Sequence, residues 1–247
     1  MANWNDPRQT GTGFGASSTV PRTGGAVVYD EGLRSYMLSI YNYMTSGVLL
    51  TGIIALLTAQ SGLAVTFASG PLMWIVALSP LAIVFAMSFG MHKFSKTTLQ
   101  AMYWGFAVLM GLSLSTLFLV YTGASIATTF FATAGAFAGL SLWGYTTKKD
   151  LSGFGTFLIM GVVGLIIASI INMFVQSSGL GLAISFLGVL IFAGLTAYDT
   201  QKLKNIYDQV RGTEFMGKVV IMGALNLYLD FINMFLFLLR FMGSARE

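Results

Sequence analysis

The chain has 247 residues, of which 55% are hydrophobic and only 9% are Asp, Glu, Lys or Arg. A soluble domain carries about 25% charged residues, so this composition excludes an ordinary soluble globular protein. The sequence contains no cysteine, which excludes disulfides, thiolate metal sites and cysteine nucleophiles. The basic residues behind the net charge of +4 lie in several short links, a pattern typical of topology control, and contact with anionic lipid head groups explains it better than nucleic acid binding does.

The amino-terminal zone, residues 1–31, is rich in Gly, Ser and Thr and shows no apolar period. This composition predicts a disordered tail. The zone lacks the apolar central region of a cleaved signal peptide. We therefore expect a transmembrane domain over residues 32–242, followed by a short tail at 243–247.

Three long blocks, residues 35–91, 97–147 and 151–198, contain no Asp, Glu, Lys, Arg or His. Each block is long enough for two helices of about 20 residues. The apolar run at 219–240 adds a seventh helix. The sequence therefore predicts an all-α membrane protein, a bundle of seven transmembrane helices. Turn residues fall inside the three blocks, at 60–62 with 69–71, at 121–123 and at 176–179.

Eleven of the thirteen Lys and Arg residues lie in the amino-terminal zone through Arg34 and in the links at 92–96, 148–150 and 199–218. Basic residues mark the cytoplasmic side, so we predict a multi-pass protein with a cytoplasmic amino terminus. Arg240 and Arg246 conflict with this pattern if the last segment crosses the membrane. A re-entrant last segment would return them to the basic side, and both alternatives stay open.

Small and special residues within the helices predict how the helices pack. Gly135 with Gly139, and Gly161 with Gly164, lie at helical spacing. Such pairs are typical of close contacts between transmembrane helices. Pro80 lies inside the predicted second span, where it favours a local adjustment of the helix.

Two acids lie at membrane depth, Asp230 in the middle of the last apolar run and Asp199 at the end of the sixth span. A carboxylate near the bilayer centre costs about 2.5 to 3.5 kcal/mol, so such residues indicate function. Asn226, Asp230 and Asn233 are spaced to share one helix face. This polar stripe predicts that the last helix is the centre of the bundle. The stripe either joins helices by hydrogen bonds or supports a functional acid.

If Asp199 and Asp230 meet inside the bundle, they cannot both ionise cheaply and would share a proton. Their oxygens also suit a hard cation such as calcium. The residues thus favour a proton-sensitive latch or a cation site. The single histidine, His92, is either a partner of this pair or an ordinary polar residue beside the membrane. The chain has no second histidine and no cysteine with which His92 could form a zinc protease site or a catalytic triad, so we expect that the protein is not an enzyme.

Three segments carry a family resemblance. NLYLDFIN at 226–233 with FLFLLRF at 235–241 closely resembles the signature last helix of the Bax inhibitor (transmembrane Bax inhibitor motif) family. AYDTQK at 197–202 and TKKDLS at 147–152 are further matches, and the resemblance covers about residues 32–242. It implies a seven-helix fold with the last helix central and, for a bacterial member, a place in the inner membrane.

The resemblance also implies a pH-sensitive calcium leak, with calcium as the permeant ion and no cofactor. By motif, the two aspartates of the sensor are Asp199 and Asp230. In the family picture an arginine near the inner end of the second span engages this pair. Residues 89–93 read FGMHK here, so His92 or Lys93 would have to supply the positive charge.

Two other functions remain open from the sequence. The first is a regulatory partner of a membrane-bound ATP-dependent protease, which would grip the tail at residues 1–31. The second is a proton-coupled transporter. The chain shows neither evident inverted halves nor matching interrupted helices, so it resembles such transporters less.

Overall fold

The computed structural model describes residues 23–244, with side chains described from residue 31 onward. Most of the predicted amino-terminal tail and the last three residues of the predicted carboxyl-terminal tail lie outside the described residues. The first helix begins at Thr23, ahead of the predicted boundary at residue 32. Residues 23–244 form helices and no strand, in the order α1 Thr23–Gln60, α2 Leu63–Phe67, α3 Gly70–Gly90, α4 Lys96–Leu114, α5 Leu117–Val120, α6 Gly123–Thr146, α7 Ser152–Val175, α8 Ser178–Val210 and α9 Met216–Met242.

Seven segments are long and apolar enough to cross a membrane: α1, α3, α4 with α5, α6, α7, α8 and α9. This confirms the predicted all-α bundle of seven spans. The helix ends fall at the predicted turns, since α1 ends at Gln60, α6 begins at Gly123 and α8 begins at Ser178. Charge-free length and turn residues therefore predicted the element boundaries closely.

Local capping explains where several helices begin. The side chains of Ser95, Thr122 and Ser177 each accept a hydrogen bond from a backbone N–H three residues later, as N-cap residues do. Gly62 and Gly70 adopt positive φ angles of 80° and 61° in the turns around α2, a conformation that glycine takes without steric cost.

The last helix, α9, is the centre of the bundle, as predicted. In its most apolar window 72% of the residues are buried, against 11% to 39% in the other six spans. It packs against α1, α4, α6 and α8. The outer helices carry many exposed Leu, Ile and Phe side chains, which suit a lipid environment.

The bundle has two unlike ends. We call the end with the α3–α4, α6–α7 and α8–α9 connections the basic face, because most Lys and Arg residues lie there. α9 runs without a break from this face to the other, where Ser244 bonds to the α5–α6 region. The backbone N–H of Thr122 donates to the Ser244 carbonyl at 3.3 Å, and the Ser244 N–H donates to Ser125 Oγ at 2.9 Å. The last segment is therefore not re-entrant, and Arg240 lies near the end opposite the basic face.

The predicted glycine contacts are partly wrong. A Cβ at Gly135, Gly139 or Gly164 would meet open space, whereas one at Gly161 would press on Ile191. Helical spacing identifies a shared face but not the direction in which that face points. A close approach that the spacing did not indicate occurs at Gly144, where a Cβ would overlap the backbone of α8.

Candidate functional site

Asp230 lies at the middle of α9 and is only 5% exposed. Its neighbours Leu227, Tyr228 and Phe231 are buried apolar or aromatic side chains. Its Oδ2 atom is fully buried and has no hydrogen-bond donor in the described part of the chain. An ionised carboxylate in such a place is costly, since neither water nor a donor compensates its charge.

Asp199 lies on α8, which packs on α9 more extensively than any other described pair of helices do on each other. Its side chain is half-buried and in hydrogen-bond contact with the carboxyl group of Asp230. An ionised carboxylate only accepts hydrogen bonds, so two carboxyl groups bond to each other only when one carries a proton. The geometry therefore forms a pair that can hold one proton between two helices.

Lys202 is the described cation whose charge acts on both carboxyl groups. It lies one turn after Asp199 on α8, toward the basic face, and its side chain is exposed. Its Nζ atom is 5.9 Å from the centre of the Tyr198 ring. With one shared proton the pair and Lys202 together are neutral, and without it they carry one net negative charge.

The structure does not bring His92 or Lys93 to the aspartate pair. Both are exposed in the α3–α4 connection. The His92 ring stacks on Phe215, with the ring centres 5.6 Å apart and the planes at 9°. Within residues 31–244, neither residue thus supplies the positive charge that the resemblance led us to expect beside the pair, and Lys202 supplies the nearby positive charge.

The two asparagines of the predicted stripe lie on the same helix as Asp230 but do not form a network with it. Asn233 is half-buried and donates from Nδ2 to the carbonyl of Leu229, one turn earlier on α9, at 2.8 Å. Asn226 is half-buried, and among the residues described no side-chain hydrogen bond joins it to the aspartate pair. The stripe therefore contributes one acid to the site, and neither asparagine supports it by a hydrogen bond.

Gln201 joins the two shorter motif segments. Its Oε1 accepts from the Leu151 N–H at 2.8 Å, and its Nε2 donates to the Lys149 carbonyl at 2.8 Å. Lys204 donates to the carbonyl of Tyr145, also at 2.8 Å. These bonds fix the α6–α7 connection to α8 two residues after Asp199. The sequence marked both segments by resemblance, but it gave no sign that one side chain joins them.

A chain of hydroxyl groups connects α1, α6 and α8 beside the site. The Tyr41 and Ser141 oxygens are 2.6 Å apart, and those of Ser141 and Thr200 are 2.9 Å apart. Thr200 follows Asp199 directly and donates to the carbonyl of Thr196 at 2.7 Å. Sequence reasoning missed this chain, because single hydroxyl residues are common in transmembrane helices and carry no distinctive spacing.

The site provides few ligands for a resident metal ion. No group of three or more His, Cys, Asp or Glu side chains occurs among the described residues. Calcium takes six to eight oxygen ligands, far more than two carboxyl groups supply. The two carboxyl groups alone therefore do not complete a calcium coordination shell.

Comparison with known proteins identifies the family. The family model described as "Inhibitor of apoptosis-promoting Bax1" matches residues 33–247. The chain belongs to this Bax inhibitor family. An uncharacterised protein of Caulobacter vibrioides is 46% identical over 244 residues, covering 94% of this chain and 98% of the relative. The inner membrane protein YbhL of Escherichia coli K12 is 44% identical over 230 residues, covering 92% and 98%. An uncharacterised protein of Rickettsia prowazekii is 44% identical over 233 residues, covering 94% and 98%.

Family membership and the seven spans together establish a multi-pass membrane protein of the Bax inhibitor family. The resemblance found in three short motifs is thereby confirmed over most of the chain. Two of those motifs contain the aspartate pair, and the third is fixed to them through Gln201.

Proposed function

We propose that this protein is a pH-sensitive calcium leak channel of a bacterial inner membrane, with Asp199 and Asp230 as its proton sensor. The observation that carries the proposal is the buried Asp230 oxygen, whose polar neighbour is a second acid on another helix. In this proposal the basic face and the amino terminus of the protein are cytoplasmic, as the positive-inside rule favours.

The proton acts on the contact between α8 and α9. With one shared proton, the two carboxyl groups form a hydrogen bond that links the helices. Without it, two negative groups lie side by side in a poorly hydrated place and repel each other. The proton therefore changes how tightly α8 holds the central helix, which is the change a gate requires.

The same oxygens favour a divalent cation as the permeant ion. Calcium prefers carboxylate and carbonyl oxygens, and an incomplete ligand set allows it to enter and leave. In this proposal the flow is passive, the protein needs no cofactor and it catalyses no reaction. Its functional partners are protons, calcium and the lipid bilayer.

The proposal is tested with the full chain in liposomes that contain a calcium-sensitive dye. Calcium influx is measured from about pH 5 to about pH 9, a range that extends well above the titration of an ordinary carboxyl group. We expect wild-type influx to change with pH. Asp199→Asn and Asp230→Asn should each flatten the profile, because neither variant keeps two titratable groups. Glu214→Gln, an exposed acid in the α8–α9 connection, is the matched control and should keep the wild-type profile.

Three outcomes contradict this proposal. An unchanged pH profile in both asparagine variants would remove the sensor. Wild-type liposomes without calcium influx would remove the channel. Uphill calcium movement driven by a proton gradient would replace the leak by proton-coupled transport.

The alternative of a protease-regulating partner depends on the amino-terminal tail. Residues 1–22 of that tail lie outside the described residues, and no contact described above favours a protease. Deleting the tail in the liposome assay tests whether calcium influx depends on the tail. In our proposal the pH profile stays as in the wild type, since the aspartate pair lies within the helical bundle.

A further inference from the structure

A groove runs along the side of the bundle between α1 and α6. α1 packs mainly on α4 and α9, while α6 packs mainly on α8 and α9. The space between them has a volume of about 970 Å³, and Phe137 and Phe231 form part of its floor. This volume lies at the upper end of the range of about 300 to 1,000 Å³ for small-molecule sites.

The lining of the groove is largely apolar, and its rims are exposed to the surroundings of the bundle. Leu49 on α1 is 55% exposed and Leu142 on α6 is 64% exposed. Because both helices span the membrane, these rims face lipid rather than water. The groove therefore opens toward the hydrocarbon core of the bilayer.

The groove follows α1 from Arg34 to Leu49. A rise of 1.5 Å per residue makes this stretch about 22 Å long. The hydrocarbon core of a bilayer is about 30 Å thick, so the groove extends through the leaflet next to the basic face. An acyl chain of that leaflet runs in the same direction.

The two ends of the groove differ in charge. Arg34 lies in the lining at the basic face, and its side chain is exposed. Tyr145 lies in the lining at the same end, and Lys204 is bonded to its carbonyl. A guanidinium group binds phosphate oxygens through paired hydrogen bonds. The basic end therefore suits a phosphate, and the remaining lining suits a hydrocarbon chain.

We propose that this groove is a binding site for an anionic phospholipid of the leaflet at the basic face, with one acyl chain between α1 and α6 and the phosphate at Arg34. Neither the shape of the groove nor the position of Arg34 in its lining depends on calcium conduction.

The test uses the full chain in nanodiscs that contain phosphatidylglycerol with a photoreactive acyl chain. After illumination, crosslinked residues are identified by mass spectrometry. We expect the crosslinks to concentrate on the lining residues of α1 and α6. Ala138→Trp narrows the groove and should reduce this concentration, whereas Ala136→Trp, two residues away on α6 and also exposed, should not.

A second variant tests the charge. Arg34→Gln should lower the preference for phosphatidylglycerol over phosphatidylcholine about fivefold, the effect expected of one basic residue at a lipid surface. Lys148→Gln removes an exposed charge of the α6–α7 connection that does not line the groove, so it should change the preference measured at the groove residues less than Arg34→Gln does.

Crosslinks spread evenly around the outer helices would overturn the proposal. Equal labelling of the two tryptophan variants, or a full phosphatidylglycerol preference in Arg34→Gln, would do the same. Protection of the groove by a co-purified polypeptide rather than lipid would show that the occupant is a partner helix, which also overturns it. If Ala138→Trp does not fold, the Arg34→Gln comparison decides.

Discussion

Polar side chains in the core differ in the hydrogen-bond partners that they find. Thr51 donates to the Ala107 carbonyl at 2.8 Å, and its oxygen lies 2.6 Å from the Tyr228 hydroxyl. These neutral groups join α1, α4 and α9 at modest cost, because each finds a partner. Asp230, two residues after Tyr228, has another acid for its neighbour. A residue needed only to join helices does not require a titratable group in that place.

Asp150 shows the opposite electrostatic environment, outside the membrane-spanning segments. Its Oδ1 accepts from the Ser152 N–H at 2.9 Å at the start of α7. Hydrogen bonds from Ser152 hold the pKa of the Asp150 carboxyl below its usual range. The folded state thus favours the ionised form, as is common for acids at helix amino termini.

This pKa gives a pH-dependent prediction for Asp150→Asn. Because the folded-state pKa is lowered, the stabilisation is present above the unfolded value of about 3.9 and is lost as pH falls through the folded value. We expect a small loss of stability in the variant that is constant between about pH 6 and pH 8 and vanishes only below about pH 4. Unfolding midpoints of both proteins in detergent, measured across pH, check this. A difference that disappears near pH 6 would show that the Ser152 bond does not set the titration.

At the scale of helices, the contact between α6 and α8 positions the aspartate pair. Gly144 lets α6 approach α8 so closely that a Cβ there would overlap the backbone of Ala197, two residues before Asp199. Gln201 fixes the same helix from the other side of Asp199. Close packing and a double hydrogen bond therefore hold the basic-face end of α8 on both sides of the acid.

We predict that Gly144→Ala destabilises the bundle by about 1 to 3 kcal/mol, because the added methyl group forces two backbones apart. Gly139→Ala, on the same helix but facing open space, should instead gain up to about 1 kcal/mol of helix propensity. Equilibrium unfolding of both variants in mixed detergent micelles measures the difference. Equal stability of the two variants would mean that α6 and α8 do not pack at Gly144 as described.

The helices themselves were predictable from the sequence, and their faces were only partly so. Charge-free length and turn residues predicted seven spans, because the bilayer fixes how long a helix must be. Gly135 and Gly139 share a face at helical spacing, yet that face points outward. The prediction that Asp230 points into the bundle is confirmed, because a carboxylate at that depth would otherwise face lipid. Gln201 acts through tertiary contacts with residues 149 and 151 that spacing along the chain does not contain.

At the scale of the whole molecule, the bundle is six helical spans around a seventh, with unlike ends. The connections and helix ends at the basic face hold most of the described Lys and Arg residues, while α9 carries Arg240 toward the opposite end. The burial of α9 at the centre of the bundle outweighs the preference of a single residue, Arg240, for the basic face. The positive-inside pattern is a sum over several links, so a single exception does not reverse it.

The two ends can be assigned experimentally, because the natural chain has no cysteine. We predict that Ser244→Cys in intact cells reacts with a membrane-impermeant maleimide and that Glu214→Cys reacts only after the membrane is disrupted. The wild-type chain is the unlabelled control. Labelling of both positions from the same side would contradict a full crossing by α9. Reversed labelling would place the basic face outside the cytoplasm.

The central position of α9 has a consequence for how the protein is made. A ribosome synthesises α9 last, and the preceding spans enter the bilayer before it exists. Until then they lack the side chains that fill their shared interior, so insertion precedes the final docking of helices. A chain truncated before α9 is inserted in the membrane without the helix that fills the centre of the bundle. Quality-control proteases can recognise such a chain.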